Sequence, residues 1–511
     1  MDDPTTPNTI GDVIRHWAEN KPDAPAFISE KKAPLSYQRL AETIENFRGA
    51  LNASGFGRGD RIAIVHPGGE ELAIMLLSVL SGATAIPLNP NYTAAEFVTQ
   101  FKTRRADCVI ISSETDSPAR KAALELALPV LDLAIAKNAC TGQINLRTEL
   151  TGIPHGPGAA EPHDVALVMA TSGTTSGGKI VPLRQQRTVL NATTMVKLYE
   201  LTPRDRCLFL RPLYYSGAIN NLMATCLSGG SVAFLPEFDS TKFFRDLVSL
   251  EPTWFAASPT FFYAILAGAP ANRENISRAR LRFVSANSAR LDSQTANQFE
   301  ELFGVPVQVS YSSMEAGKIA GNPQPPGVCK PGTVGPVCGP ETRIMDESGN
   351  LLSPGCPGEV MVRGEQVFEG YENDPAANEA AFINGWFHTG DEGFFDEDGY
   401  LVLTGRIKEM INRGGEKVSP LEVDSALLEH PKIADAASFA IPHPTLGEIV
   451  GAAVIPVNSE IPTDRELTRF LADRLALFKI PRAFLVVEEI PRGPTGKILR
   501  KRLSEQFSAS R

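Results

Sequence analysis

The chain has 511 residues, 43% of them hydrophobic and 21% charged, with a net charge of −10. That balance argues for a globular protein of roughly three or four domains at ~150 residues each, with enough length for a sizeable core. No Lys/Arg run interrupts the acidic background, which argues against nucleic acid as the main partner and leaves a small soluble ligand open. The N-terminal MDDPTTPNTIGDVIRHW lacks the basic-then-apolar pattern of a signal peptide, and no stretch reaches the ~18 apolar residues of a spanning helix. Seven scattered cysteines without a C-x-x-C pair are expected to be reduced thiols of a cytoplasmic protein. Seven histidines without H-E-x-x-H spacing argue against a transition-metal site.

In chain order, RIAIVHP (61–67), TAIPLNP (84–90) and CVIISS (108–113) read as strands, with helices at EELAIMLLSVLSGA (70–83) and AAEFVTQFKTRRA (94–106). This alternation, from about residue 8 to 160, predicts a parallel sheet with amphipathic helices on both faces. A Gly/Pro-rich connector follows at 153–164. The rhythm resumes with strands at VALVMA, SVAFLP, PTWFAASP, RLRFVSA and VPVQVSY. Beyond 321–336 the texture becomes strands joined by S-G and P-G turns, which predicts an antiparallel β-subdomain. Past Gly405 helices return at VDSALLEHP, DRELTRFLADRLA and KILRKRLSEQF, with strands between, which predicts a small α+β domain. The fold class expected is therefore α/β: two parallel-sheet subdomains and an antiparallel β-subdomain, followed by a small α+β domain.

The segment Thr171–Ile180, TSGTTSGGKI, nearly spells the phosphate loop G-x-x-x-x-G-K-[ST], but Ile180 stands where a Mg²⁺-binding hydroxyl belongs. The following IVPLRQQR is β-branched and contains Pro182, so the segment reads as a strand–loop–strand hairpin rather than a strand–loop–helix. Glycines allow close backbone approach, and the hydroxyls of Thr171, Ser172, Thr174, Thr175 and Ser176, with Lys179, could donate to phosphate oxygens. A ligand-free glycine-rich hairpin is the equal alternative on these residues alone.

Downstream stand YSSMEAG (311–317), WFHTGDEGFFDEDGYLVLTGRIKEMINRGGEKVSPLEVD (386–424) and PRGPTGKILRKRL (491–503). In this order and spacing the chain resembles the adenylate-forming (AMP-binding) superfamily, of acyl-CoA synthetase type. SGTTS and NRGGEK are most similar to the branch containing oxalate–CoA ligases. The resemblance implies an adenylation domain over 1–404 (α/β to about 330, β-subdomain about 331–404), a hinge at 405–408 and a mobile lid domain over 409–511. It implies activation of a carboxylic acid by ATP with Mg²⁺, release of pyrophosphate, and transfer to the thiol of CoA. An amine or a carrier-protein thiol as acceptor, or a non-catalytic nucleotide-binding homologue, are the alternatives.

The resemblance also implies the roles. Lys497 is the catalytic lysine and Glu315 a catalytic and Mg²⁺-binding residue. ATP or AMP would be held by Thr171, Ser172, Gly173, Thr174, Thr175, Lys179, Ser288, Ala289, Tyr311, Asp391 and Arg406. Of these, Asp391 would accept the ribose hydroxyls, Tyr311 would stack on adenine, and the 287–289 segment would wall its other side. Lys408 is the hinge, and Gly414, Gly415 and Glu416 shape the CoA channel. Tyr215, Met314 and Lys318 fall in the acyl pocket, where the chain departs from the family pattern. Met314 lacks the hydroxyl that the family's Thr supplies, with Ser312 or Ser313 as substitutes. Tyr215 replaces a His. Lys318 would suit a second anionic group if it faces the pocket, and none if it faces solvent.

Overall fold

The computed structural model describes residues 7–509 except 31, 114, 136–143, 172–177, 236–237, 287–290, 292, 458–459 and 494–496. Among the described residues the chain forms four sheets.

The first sheet has seven strands, in spatial order Ile144–Arg147, Val130–Ile135, Cys108–Ser112, Arg61–Val65, Thr84–Leu88, Val165–Ala170 and Ile180–Arg184. The inner five are parallel and the two edges antiparallel. Every residue of Thr84–Leu88 and Cys108–Ser112 is buried, as in strands covered on both faces. One helix differs from the amphipathic expectation. Gly69–Leu80 is buried continuously from Leu72 to Leu80, packed on the helices Ile10–Asn20 and Tyr37–Ala53 as well as on its sheet. A helix that is apolar all round has no face to offer to water.

The second sheet has eight strands: Gly317–Gly321, Val307–Ser313, Phe283–Ala286, Trp254–Ala257, Arg206–Phe209, Ser231–Phe234, Pro25–Ser29 and Lys32–Ser36. Its inner six are parallel, again with antiparallel edges. Side-chain alternation splits its faces. Trp254, Ala256 and Phe283 join the core shared with the helices Gln185–Tyr199 and Ser216–Leu227, while Phe255, Ala257, Val284 and Ala286 join a second core on the far side. The chain does not fill these two sheets one after the other. Residues 25–36 cross to the second sheet, and the hairpin 165–184 completes the first, beyond the Gly/Pro connector.

An antiparallel sheet follows, ordered Glu341–Met345, Gly358–Arg363, Trp386–Phe395 and Phe382–Ile383, with Leu401–Arg406 also on Trp386–Phe395. The last sheet comprises Glu416–Val418, Ile411–Arg413, Gly447–Pro456 and Ile433–His443, with Ala483–Val486 parallel to Gly447–Pro456. It carries the helices Pro420–Leu428, Asp464–Ala472 and Arg500–Ala509 on cores of its own. No helix among the described residues is long and apolar enough to cross a membrane.

Candidate active site

The antiparallel sheet supplies the first pair. Asp391 and Arg406 are directly opposite across two strands, and register alone brings Arg406 Nε to 3.0 Å from Asp391 Oδ1. The second sheet supplies the third member: Tyr311 Oη donates to Asp391 Oδ2 at 2.6 Å. Both carboxylate oxygens are thus held, one by each sheet, and each keeps a lone pair for a further donor. Burial pushes the Asp391 carboxyl up in spite of Arg406 and Tyr311, and burial with the Asp391 charge pushes the Tyr311 phenol up.

Glu315 lies in the turn between the strands Val307–Ser313 and Gly317–Gly321. Its Oε1 accepts from Tyr371 Oη at 3.1 Å, and the Tyr371 ring carries Lys179 Nζ at 4.4 Å from its centre. One tyrosine therefore ties the lysine of the glycine-rich loop to the glutamate of the turn. Beneath them, the buried Arg187 donates to the carbonyl oxygens of Met314 (2.7 Å) and Gln366 (2.9 Å). Its pKa is pushed down to about 10 by burial, against the pull of Glu315.

The flanks of the glycine-rich loop form the expected antiparallel hairpin, Val165–Ala170 against Ile180–Arg184. Thr171 and Lys179 close it: Thr171 N donates to Lys179 O at 3.0 Å, and Lys179 N donates to Thr171 Oγ1 at 3.0 Å. Gly178 has φ +71°, and a Cβ there would stand 2.1 Å from Thr171 O, so the closure requires glycine. Ser172, Gly173, Thr174 and Thr175, and likewise Ser288 and Ala289, lie outside the described residues.

Lys497 comes from the last domain. It is exposed, yet it stands in the field of Arg406, Asp391, Glu315 and Glu409. Partial desolvation, then Arg406, pull its pKa below the ordinary lysine value, outweighing the three carboxylates. Arg500, at the start of the final helix, secures this loop. It is buried, with Nη2 at 2.7 Å from Asp424 Oδ2, Nη1 donating to Ser438 O at 2.6 Å, and Nε 3.4 Å from Glu409. Lys408 is exposed in the short 3₁₀ turn Ile407–Glu409. Gly414, Gly415 and Glu416 are exposed on the hairpin of the last sheet, and the backbone N–H groups of Gly414 and Gly415 donate within that domain, to Leu446 O and Asn412 Oδ1. The structure thus gathers Lys497, Asp391, Arg406, Tyr311, Glu315 and Lys179, and leaves the Gly414–Gly415 hairpin outside that group.

The acyl-side residues take three different positions. Met314 is half-buried and packs against the main core. Of the two serines beside it, Ser313 Oγ accepts from Ala316 N at 3.0 Å and Ser312 is exposed. Tyr215 starts the helix Ser216–Leu227, with the Arg211 guanidinium 4.8 Å from its ring centre and Tyr214 against it. Lys318 does not face solvent. It is 6% exposed, and its ammonium donates to Ser310 Oγ at 2.7 Å and Tyr199 Oη at 3.2 Å.

Arg187, Tyr371 and Tyr199 carry no motif and were not among the residues expected. A single arginine or tyrosine inside a helix or loop has no sequence neighbour that reveals its spatial partners, and only chain folding across 56 to 179 positions discloses them.

Family models for an AMP-binding enzyme and for an AMP-binding enzyme C-terminal domain match residues 14–372 and 422–497. A probable CoA ligase of Humulus lupulus is 38% identical over 98% of this chain and 97% of its own length. The oxalate–CoA ligase of Arabidopsis thaliana is 35% identical over 98% of this chain and 99% of its own. Among solved structures, ATP-bound MatB from Rhodopseudomonas palustris superposes with a TM-score of 0.87 at 26% identity, covering 98% of this chain and 99% of that one.

Proposed function

The chain belongs to the AMP-binding enzyme family, and from that premise we propose that it joins a carboxylic acid to the α-phosphate of ATP and passes the acyl group to the thiol of CoA. The observation that carries this reading is the convergence of Asp391, Arg406 and Tyr311 with Lys497 and Glu315, drawn from three separate sheets and domains.

Each residue has chemistry suited to the task. Asp391 offers two acceptors to a vicinal diol, as acidic residues do in dinucleotide sites. Arg406, already paired with it, would contact ribose or phosphate, and the Tyr311 ring would stack on the base. Lys179, with the hydroxyl- and glycine-rich sequence that precedes it, would donate to the β- and γ-phosphates. An anionic acid must approach a polyanion, so positive charge is needed where the new bond forms, and Lys497 supplies an ammonium there. Arg187 holds the Met314–Glu315 backbone in place.

Glu315 fits Mg²⁺. It is a hard carboxylate that accepts from Tyr371, and no group of three His/Cys/Asp/Glu among the described residues could hold a metal alone. Such a site suits a cation that takes most of its ligands from phosphates and water. When bound, Mg²⁺ would neutralise phosphate charge during the displacement.

The second half-reaction needs room for a thiol where Lys497 stands. The exposed Gly414–Gly415 hairpin, with Glu416, is the matching element. We assign residues 1–404 to adenylation, 405–408 (including Lys408) to a hinge, and 409–511 to a lid that turns Lys497 out and the hairpin in. The test is product analysis. With ATP, Mg²⁺, an acid and CoA, the expected products are AMP, pyrophosphate and an acyl-CoA. Formation of ADP, or of no nucleoside monophosphate with a broad acid panel, refutes the reading. An amide formed with added amines in place of the thioester refutes the choice of CoA.

A further inference from the structure

The strand Trp386–Phe395 is irregular at the point where it carries Asp391. Against Gly358–Arg363 its register places Gly393 on Gly358 and Glu392 on Glu359, then resumes with His388 on Met361 and Phe387 on Val362. Between these pairs Val360 stands on one strand, and Thr389, Gly390 and Asp391 stand on the other. The excess residues form a bulge. A bulge bends its strand, re-aims a side chain and leaves backbone groups without a ladder partner. On its other edge the same strand stays paired, with Asp391 on Arg406.

Side chains capture the groups that the bulge sets free. Glu359 Oε1 accepts from Gly390 N at 2.9 Å, and its Oε2 accepts from His388 Nδ1 at 2.8 Å. Thr389 Oγ1 donates to Val360 O at 2.7 Å and accepts from Asp391 N at 3.1 Å. Gly390 has φ +71°, a left-handed conformation that strains other residues. His388, Thr389 and Gly390, the three residues ahead of Asp391, are therefore all engaged in closing the bulge. The Glu359 carboxylate spans it from His388 to Gly390, and bonds to an ionised acceptor are stronger than bonds between neutral groups. Arg406 and Tyr311 hold the Asp391 side chain. Glu359 holds the backbone from which that side chain springs.

We propose that Glu359 is a positioning residue for ribose recognition: its carboxylate closes the bulge that aims Asp391, and so sets how strongly the protein prefers ribose to 2′-deoxyribose. This rests on the reading of Asp391 as the acceptor of the ribose hydroxyls and adds to it the residue that orients the acceptor.

The test is equilibrium binding of ATP and 2′-deoxyATP to the full-length protein, by titration calorimetry with Mg²⁺ and without acid. The unmodified protein should bind 2′-deoxyATP roughly ten- to hundredfold more weakly, the worth of a hydrogen bond to a charged group. Glu359→Leu removes both bonds across the bulge. It should weaken ATP several-fold, leave 2′-deoxyATP within about twofold, and so shrink the preference. A purely structural loss would weaken both nucleotides alike and leave their ratio unchanged. Glu359→Gln keeps an acceptor for Gly390 N and should restore most of the preference. Thr389→Val keeps the volume and removes the other tie to Asp391 N. It should shrink the ratio as well, and it decides the matter if Glu359→Leu fails to fold. Adding Glu359→Leu to Asp391→Ala should reduce the preference no further than Asp391→Ala alone. An unchanged ratio in both Glu359→Leu and Thr389→Val, where Asp391→Ala abolishes it, overturns the proposal. A preference that survives Asp391→Ala, or is lacking in the unmodified protein, removes the ribose reading itself and this proposal with it.

Discussion

The surroundings of Asp391 and those of Lys318 handle charge in opposite ways. The two carboxylates there have answers within the protein: Asp391 has Arg406, and Glu315 lies in the field of Arg187 and Lys497. Lys318 is surrounded instead by hydroxyls and a ring. Opposed charges that cancel can wait without a ligand and exchange partners when one arrives. A buried charge left without its opposite is destabilising until a ligand brings one.

The largest expected effect tests the surroundings of Asp391. Lys497→Ala should lower acid-dependent AMP formation by about a hundredfold or more, as removal of a transition-state donor does. Thioester formation from a supplied acyl-adenylate should be nearly unaffected, and an equal loss in both steps would contradict the assignment. The ammonium is the working form, so kcat/KM should fall as pH rises through the Lys497 pKa. That pKa is held below the usual lysine range by desolvation and Arg406, so the alkaline limb should lie lower than for an ordinary lysine. Lys497→Arg should move that limb upward.

A second substitution sharpens the contrast between the two buried cations. Arg500→Met strips Asp424 of its partner and should destabilise the full chain by about 3–5 kcal/mol in denaturant titration. The double variant Arg500→Met/Asp424→Leu should recover part of that loss. Lys318→Met leaves only hydroxyls behind and should cost far less stability than Arg500→Met. A comparable cost would show that Lys318 is a structural cation like Arg500, and the contrast would break.

The smallest effect concerns Tyr311. Tyr311→Phe keeps the ring and removes the donor to Asp391. A three- to tenfold rise in KM for ATP is expected, about the worth of one ordinary hydrogen bond, since Arg406 still holds the carboxylate. No change would mean that Arg406 alone orients the carboxylate.

Much of this architecture is legible in the sequence because it is local. Short continuous runs such as Thr84–Leu88 and Cys108–Ser112 mark strands buried on both faces, and Ile180–Arg184 declares a strand after the glycine-rich loop through its β-branched residues and Pro182. Asp391 and Arg406 are close enough in sequence, on adjacent strands, for a motif to carry both. Ser172–Thr175 and Ser288–Ala289 are known from sequence alone, since they lie outside the described residues.

What only the tertiary structure decided is pairing over distance. Five-residue strands bear no label for their partner, so the crossing of Pro25–Ser29 into the second sheet could not be read from its residues. The direction of Lys318 was equally open, because a lysine after a turn reads the same whether it meets water or Tyr199. Residue type and spacing determined which chemical groups this chain possesses. Which of them meet depended on packing between segments 56 to 127 residues apart, where desolvation gives each contact its weight.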